Sequence, residues 1–182
     1  KTALSLVLLI ICAYYSFSPD MTQMIYIGSI GGFIVALLTI FKKEWAPFTV
    51  PIYAILEGLF LGSISYLYDL QYQGIVLQAV SLTIFVLFSM LFAYRFKIIR
   101  PTENFKLAVF SAISGIALLY VINFIMSFFG PGIYLLSPNN SSIISIGFSV
   151  FVVAVGAFSL VIDFDFIEEG AEKGAPKYME WY

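Results

Sequence analysis

The chain has 182 residues and a formal net charge of −2, and 61% of its residues are hydrophobic while only 11% are charged. Soluble globular domains hold about 25% charged residues, so the composition excludes a soluble domain and predicts a polytopic membrane protein. The sequence also contains no basic arm or patch of the kind that neutralises the phosphates of a nucleic acid, which excludes nucleic acid as a partner and leaves the lipid bilayer. We predict an all-α fold, a membrane helix bundle that forms one domain over residues 1–182.

Apolar segments long enough to cross a hydrocarbon core of about 30 Å need roughly 17 to 25 residues. Six segments approach or meet this length and are the predicted spans: residues 2–17, 24–41, 47–67, 74–94, 105–129 and 143–166. The first is slightly short and starts directly at Lys1, so we interpret it as a membrane helix and not as a signal peptide. Residues 178–182 are rich in aromatic side chains, as at a membrane interface. We therefore expect truncation at both ends and a seventh helix beyond Tyr182.

Small and turn-forming residues organise these segments. Gly28 and Gly32 in the second span, and Gly58 and Gly62 in the third, have the four-residue spacing that allows helix backbones to approach closely. Turn-forming Gly, Pro, Ser and Asn residues in 130–132 and 137–141 predict the loop before the sixth span.

The distribution of lysine and arginine predicts the orientation. With the N-terminus in the cytoplasm, the six spans place all 9 Lys and Arg residues on the cytoplasmic side and none in the three outer loops. Such asymmetry is typical of multi-pass proteins, whose cytoplasmic loops carry the positive charge. We expect an inner-membrane protein with Asp69 and Asn139 outside and Lys43 inside.

Histidine is absent, which removes the commonest general base and near-neutral pH switch, so any proton sensing must use carboxylates. Glu57 is the most deeply placed carboxylate, about 15 Å into the third span at 1.5 Å per residue. We expect it inside the bundle and uncharged. The alternative is a purely structural role, in which Glu57 bonds to Asn123, Ser63 or Ser65 and holds helices together.

Asp163 and Asp165 lie in the sixth span, where an ionisable side chain is costly and by default indicates a functional site. The alternative is a helix that simply becomes acidic as it enters the cytoplasm. Residues two apart point in different directions on a helix, so the two carboxylates cannot form a joint site. Asp163 is a candidate to contact calcium, although a calcium cage needs about six to eight oxygen ligands. A constriction that attracts cations, or a latch that changes with protonation, requires less.

Enzymatic functions are not favoured by the sequence. A serine protease would lack its histidine base, the Gly-x-Gly-Asp turn of an intramembrane aspartyl protease does not occur, and no span holds a lysine that could carry retinal. We expect no enzyme. No internal repeat is convincing enough to predict an inverted-repeat transporter.

Three segments, residues 41–47, 53–62 and 163–182, resemble the transmembrane Bax inhibitor motif family, in particular its bacterial, YccA-like branch. The similarity covers essentially the whole chain, and its most distinctive part is the acidic stretch that starts at Asp163.

The resemblance implies a seven-helix bundle in which a carboxylate of the sixth helix pairs with an acidic residue of the last helix and gates a calcium leak according to pH. Asp163 matches the first partner when Glu169-x-Ala-Glu172 is kept in register, and Asp165 matches it when the register is set on the Phe-Asp pair. The second partner would follow Tyr182. We therefore expect a pH-sensitive cation (calcium) leak channel. The alternative is a non-conducting regulator that binds a membrane protease or another membrane partner, and a secondary transporter is a third.

Overall fold

The structure is a computed structural model that describes residues 1–137, 140 and 142–182. Within them the chain forms six α-helices and no strand, which confirms the all-α fold: α1 Thr2–Ser16, α2 Met24–Phe41, α3 Ala46–Gln71, α4 Ile75–Arg95, α5 Glu103–Ser127 and α6 Ile143–Glu172. Short 3₁₀ turns connect or follow them: Pro19–Met21, Lys43–Trp45, Tyr134–Leu136 and Lys177–Glu180.

Five stretches are long and apolar enough to cross a membrane, namely Met24–Phe41, Lys43–Gln71, Ile75–Arg95, Glu103–Ser127 and Ile143–Glu172. α1 is also apolar but has 15 residues, about 22 Å at 1.5 Å per residue, which is less than the hydrocarbon thickness. The protein is therefore a multi-pass membrane protein, and five of the six predicted spans have a full-length helix.

The helix bounds follow the predicted spans closely at α2 and depart most at the end of α6. The sixth predicted span ends at residue 166, whereas α6 continues to Glu172. A loss of hydropathy indicates where a span leaves the lipid, whereas a helix continues for as long as its residues favour it. Glu169 and Lys173 form an i,i+4 ion pair at this end, which supports the extra turn. Of the predicted outer loop, Pro138, Asn139 and Ser141 lie outside the described residues.

The chain divides into two compact units. The first comprises residues 1–81 and 174–182, and the second comprises residues 82–173. The assignment of one domain over residues 1–182 stays a prediction.

In the first unit α3 packs against both α1 and α2. The predicted close approaches are present at the glycines: a Cβ added to Gly58 would lie 2.5 Å from the carbonyl oxygen of Leu9 in α1, and one added to Gly28 would lie 2.7 Å from that of Leu56 in α3. Backbones this close leave no room for a side chain. The packing of these three helices is therefore built on small residues, as is usual where lipid surrounds the helices.

Buried hydroxyl groups also hold these helices together. Ser63, which is fully buried, donates a hydrogen bond of 2.9 Å to the carbonyl of Met21. Thr39 in α2 and Thr49 in α3 are buried with their hydroxyl oxygens 2.8 Å apart. Such bonds satisfy polar groups that would otherwise be costly in an apolar environment.

The C-terminal segment, residues 177–182, packs on the turn Lys43–Trp45 in the same unit. Glu180 forms an ion pair with Lys1, and the ammonium of Lys43 lies 4.8 Å from the ring centroid of Tyr182. The hydrogen bond from Lys1 and its charge hold the pKa of the Glu180 carboxyl below its ordinary value. The segment thus joins the start of α1 and the α2–α3 turn.

In the second unit α5 packs along α6. The rings of Phe105 and Phe158 meet edge to face with centroids 5.8 Å apart. At the opposite end of α5 the side chain of Asn123 accepts a 2.6 Å hydrogen bond from the backbone N–H of Ile133. The hydroxyl of Ser145 donates to the carbonyl of Leu135 at 2.7 Å. These bonds fix the loop between α5 and α6 at the described residues.

Candidate membrane carboxylate site

The two carboxylates of the sixth span lie on different sides of α6, as their spacing predicts. Asp165 faces α5, and its Oδ2 lies 2.7 Å from Nζ of Lys106, with the two side chains 25% and 30% exposed. Asp163 is exposed. Among the ion pairs and hydrogen bonds of the described residues, none involves Asp163. Asp165 is thus held in an ion pair between α5 and α6, whereas the carboxylate of Asp163 is available to other groups.

Lys106 holds its position because of the way α5 begins. The side chain of Thr102 accepts a hydrogen bond of 3.3 Å from the backbone N–H of Phe105, which caps the helix at its N-terminus. Glu103 in the first turn places Oε1 3.6 Å from Lys106 Nζ. The lysine therefore bridges a carboxylate of its own helix and one of α6.

Tyr94 attaches the end of α4 to the same part of α6. Its hydroxyl donates a hydrogen bond to Glu168, and its ring lies 5.8 Å from that of Phe164. Asp165 and Glu168 are three residues apart and so share one side of the helix. The ends of α4, α5 and α6 are thus joined by a charged network, whose members are Tyr94, Glu103, Lys106, Asp165 and Glu168.

The Asp165–Lys106 ion pair and Asp163 are suited to different roles. Removing one partner of a partly buried ion pair leaves the other charge without compensation, which costs more than the pair contributes. The Asp165–Lys106 pair is therefore suited to hold α5 against α6 rather than to exchange protons. Asp163, one face away, is the better candidate for a group that changes its protonation state.

Glu57 lies in the first unit, beside Tyr53 of its own helix and Gly32 of α2. It is half-buried and interacts with Tyr53, one turn earlier on α3. Both side chains lie against Gly32 of α2: a Cβ added there would be 3.6 Å from Glu57 Oε2 and 3.9 Å from Tyr53 Cε2. The absence of a side chain at Gly32 makes room for the carboxyl group.

Two of the three polar partners suggested for Glu57, Ser63 and Asn123, make other hydrogen bonds. Ser63 donates to Met21, and the side-chain oxygen of Asn123 accepts from Ile133, so Asn123 organises the loop after α5. Asn123 is also half-buried. Periodicity shows which face of its own helix a side chain occupies, but it does not identify the neighbour on that face.

Within the residues that the structure describes, no three His, Cys, Asp or Glu side chains come together as a metal site would require. The contact of Asp163 with calcium stays a prediction, in which calcium is a passing ion and not a resident one.

Sequence reasoning missed Lys106 and Tyr94 as members of the charged network. Both stand at the ends of apolar spans, where lysine and tyrosine are ordinary interface residues. The available signal was weak: a single Lys one turn into the fifth span could have been recognised as a partner for a carboxylate in the sixth.

The family described as Bax inhibitor 1 like matches residues 1–182, which is the whole of the sequence. No curated protein and no solved structure matches the chain significantly. With its apolar helices, its acidic sixth span and this match along its full length, the chain belongs to the Bax inhibitor 1-like family of membrane proteins.

Proposed function

We propose that the protein is a pH-sensitive cation leak, with calcium as the permeant ion, in the inner membrane and with its N-terminus in the cytoplasm. The proposal assigns no enzymatic reaction to it. The family match supports a membrane protein of the Bax inhibitor type, and the arrangement of the carboxylates on α6 supports the gate.

The observation that carries the proposal is that Asp163 and Asp165 have different surroundings. Asp165 is bound to Lys106, whereas Asp163 is exposed one face away. A gate needs one fixed and one changeable element on the same helix. The ion pair supplies the first, and an available carboxylate inside a span supplies the second, because ionisable groups at such depth attract cations and protons.

In the proposed mechanism Asp163 shares one proton with a second carboxylate, the acidic residue that the family resemblance implies on the last helix. Two such groups titrate as a pair. When the pair loses its proton, two like charges lie close together and repel. The cytoplasmic end then opens, so cation permeation rises as the pH rises through the apparent pKa of the pair.

Reconstitution into liposomes that contain a trapped calcium indicator tests whether the full-length protein conducts. We expect calcium entry above that of protein-free liposomes, with a rate that increases from pH 6 to pH 8. The variant Asp20→Asn is a matched control, because it removes an aspartate from the Pro19–Met21 turn and should leave the flux unchanged.

Two results would contradict the proposal. An absence of flux at every pH would favour the alternative, a non-conducting regulator that binds a membrane protease or another membrane partner. Saturable uptake that depends on a coupled substrate would indicate a secondary transporter.

A further inference from the structure

An open cavity of about 230 Å³ lies at the connection between α4 and α5, within the second unit. Three cationic side chains and one carboxylate contribute to its lining, which consists of Tyr94, Arg95, Lys97, Ile99, Arg100, Pro101 and Glu168. Pockets for drug-sized ligands usually measure about 300–1,000 Å³, so this one suits a smaller charged group.

The cations of this cavity are free to bind a ligand. The ion pairs among the described residues are Lys1–Glu180, Lys106–Glu103, Lys106–Asp165 and Lys173–Glu169. Arg95, Lys97 and Arg100 take part in none of these pairs. The single carboxylate of the lining, Glu168, already accepts a hydrogen bond from Tyr94. The cavity therefore has an excess of positive charge and favours an anion.

The backbone around Lys97 is held in a fixed conformation. The N–H of Ile98 donates to the carbonyl of Ala93 at 2.9 Å, and the N–H of Lys97 donates to that of Tyr94 at 2.9 Å. These two bonds form the Schellman ending of a helix, in which the residue at the Lys97 position is left-handed and is usually glycine. Lys97 has a φ of 56°. The chain thus keeps a lysine where glycine would be less strained.

Apolar side chains alternate with the cations. Phe96 is 63% exposed and Ile98 is 69% exposed, directly after the end of the span Ile75–Arg95. Exposed apolar residues between cationic ones are suited to the membrane interface, where the hydrocarbon begins and phosphate groups lie. A free anion from solution would gain nothing from Phe96 and Ile98, whereas a lipid would contact them with its acyl chains.

We propose that this cavity binds the phosphate group of an anionic lipid headgroup through Arg95, Lys97 and Arg100. Arginine recognises phosphate through paired N–H groups, and lysine adds a point charge. Basic pockets between membrane helices on the cytoplasmic side are suited to such headgroups. Phe96 and Ile98 lie against the acyl chains of the bound lipid.

Native mass spectrometry of the full chain in mild detergent, with added phosphatidylglycerol or phosphatidylcholine, tests the proposal. We expect retention of phosphatidylglycerol in preference to the zwitterionic lipid. Arg100→Gln should lower the affinity for phosphatidylglycerol about fivefold, which is the effect of removing one cation near an anionic headgroup. Lys173→Gln is the matched control, because Lys173 pairs with Glu169 and neither residue lines the cavity. The affinity of this variant for phosphatidylglycerol should equal that of the parent.

Two further variants separate binding from folding. Lys97→Gly relieves the left-handed strain and removes a charge, so it should unfold no more easily than the parent and still bind phosphatidylglycerol about fivefold more weakly. Glu168→Gln keeps a hydrogen-bond acceptor for Tyr94 and removes a negative charge, so it should bind the lipid more tightly. A misfolded variant would not produce this increase.

Unchanged affinity in both Arg100→Gln and Lys97→Gly would overturn the proposal. Equal retention of the two lipids would also overturn it, since the site would then not select a net negative charge. Inorganic phosphate, added at constant ionic strength, could also compete with phosphatidylglycerol for the cavity. If it bound as well as the lipid does, the cavity would be assigned to a free anion and the lipid assignment would be overturned.

Discussion

Gly62 of α3 lies directly against the backbone of α1. A Cβ added there would overlap the carbonyl oxygen of Ala13 and Oγ of Ser16. Gly115 in α5 is the useful comparison, because a Cβ added there would meet nothing within 4 Å. The two positions separate the role of glycine in helix packing from its low helix propensity.

We predict that Gly62→Ala lowers the free energy of unfolding by about 1–3 kcal/mol, the usual cost of overpacking. Gly115→Ala should leave it unchanged or raise it by up to about 1 kcal/mol, because alanine favours the helix more than glycine does. Thermal unfolding in detergent, followed by circular dichroism, measures both. Equal effects of the two substitutions would show that α1 does not pack on Gly62.

Glu57 gives a second test at the scale of single residues. Glu57→Gln keeps the size of the side chain and its hydrogen bonding beside Tyr53, so we predict a change in stability within about 1 kcal/mol. Glu57→Lys places a longer cation against Gly32 inside the span and should reduce insertion or stability by about 2.5–3.5 kcal/mol. Expression level and unfolding in detergent report both effects. A lysine variant as stable as the parent would contradict the placement of Glu57 between α2 and α3.

At the scale of elements, the C-terminal segment is held in part by the exposed ion pair between Glu180 and Lys1. The folded pKa of Glu180 is lowered by Lys1, so the stabilisation is present above the ordinary carboxyl pKa of about 4.3 and is lost as the pH falls through the lowered value. At neutral pH the segment should therefore rest on the Lys43–Trp45 turn, and strong acid should weaken this contact.

The fluorescence of Trp181 in a Trp45→Phe background measures this release. We predict steady emission from pH 7 to pH 5 and a shift below about pH 4. Glu180→Gln should show the shifted emission, at least in part, at every pH. Glu44→Gln, in the turn itself, serves as the control and should behave as the parent. An acid shift that persists unchanged in Glu180→Gln would assign the transition to another carboxylate.

Hydropathy and residue spacing predicted the elements well where the physics is local. The second span, 24–41, coincides with α2, and the glycines that were predicted to allow close packing do so. The end of α6 was not predicted, because helix propensity and the Glu169–Lys173 pair extend the helix beyond its apolar part. The pairing of Asp165 with Lys106 was not predicted either, since it depends on which helices are neighbours.

At the scale of the whole molecule, the proposed orientation in the membrane can be tested by labelling one loop on each side. The turn after α3 is held by Asp69, whose Oδ1 accepts a hydrogen bond of 2.9 Å from the N–H of Gly74. A label at Asp69 would break this bond, so the neighbouring exposed residue Gln73 is a better position. Glu44 is exposed in the α2–α3 turn, and its replacement leaves the lysines in place.

With the native cysteine removed by Cys12→Ser, we predict that Gln73→Cys reacts with an impermeant thiol reagent in intact cells. Glu44→Cys should react only after the cells are opened. The reason is the absence of Lys and Arg from the outer loops, which favours their translocation. Labelling of Glu44→Cys in intact cells would reverse the proposed orientation.

The gate at α6 is tested most directly by the pH profile of calcium flux through the full-length protein in liposomes, compared between Asp163→Asn and Asp165→Asn. Asp163 is the available carboxylate, so Asp163→Asn should make the flux independent of pH. Asp165 is bound to Lys106, so Asp165→Asn should lower thermal stability but keep most of the pH response. A pH profile that survives Asp163→Asn, or that is abolished only by Asp165→Asn, would contradict the proposed gate.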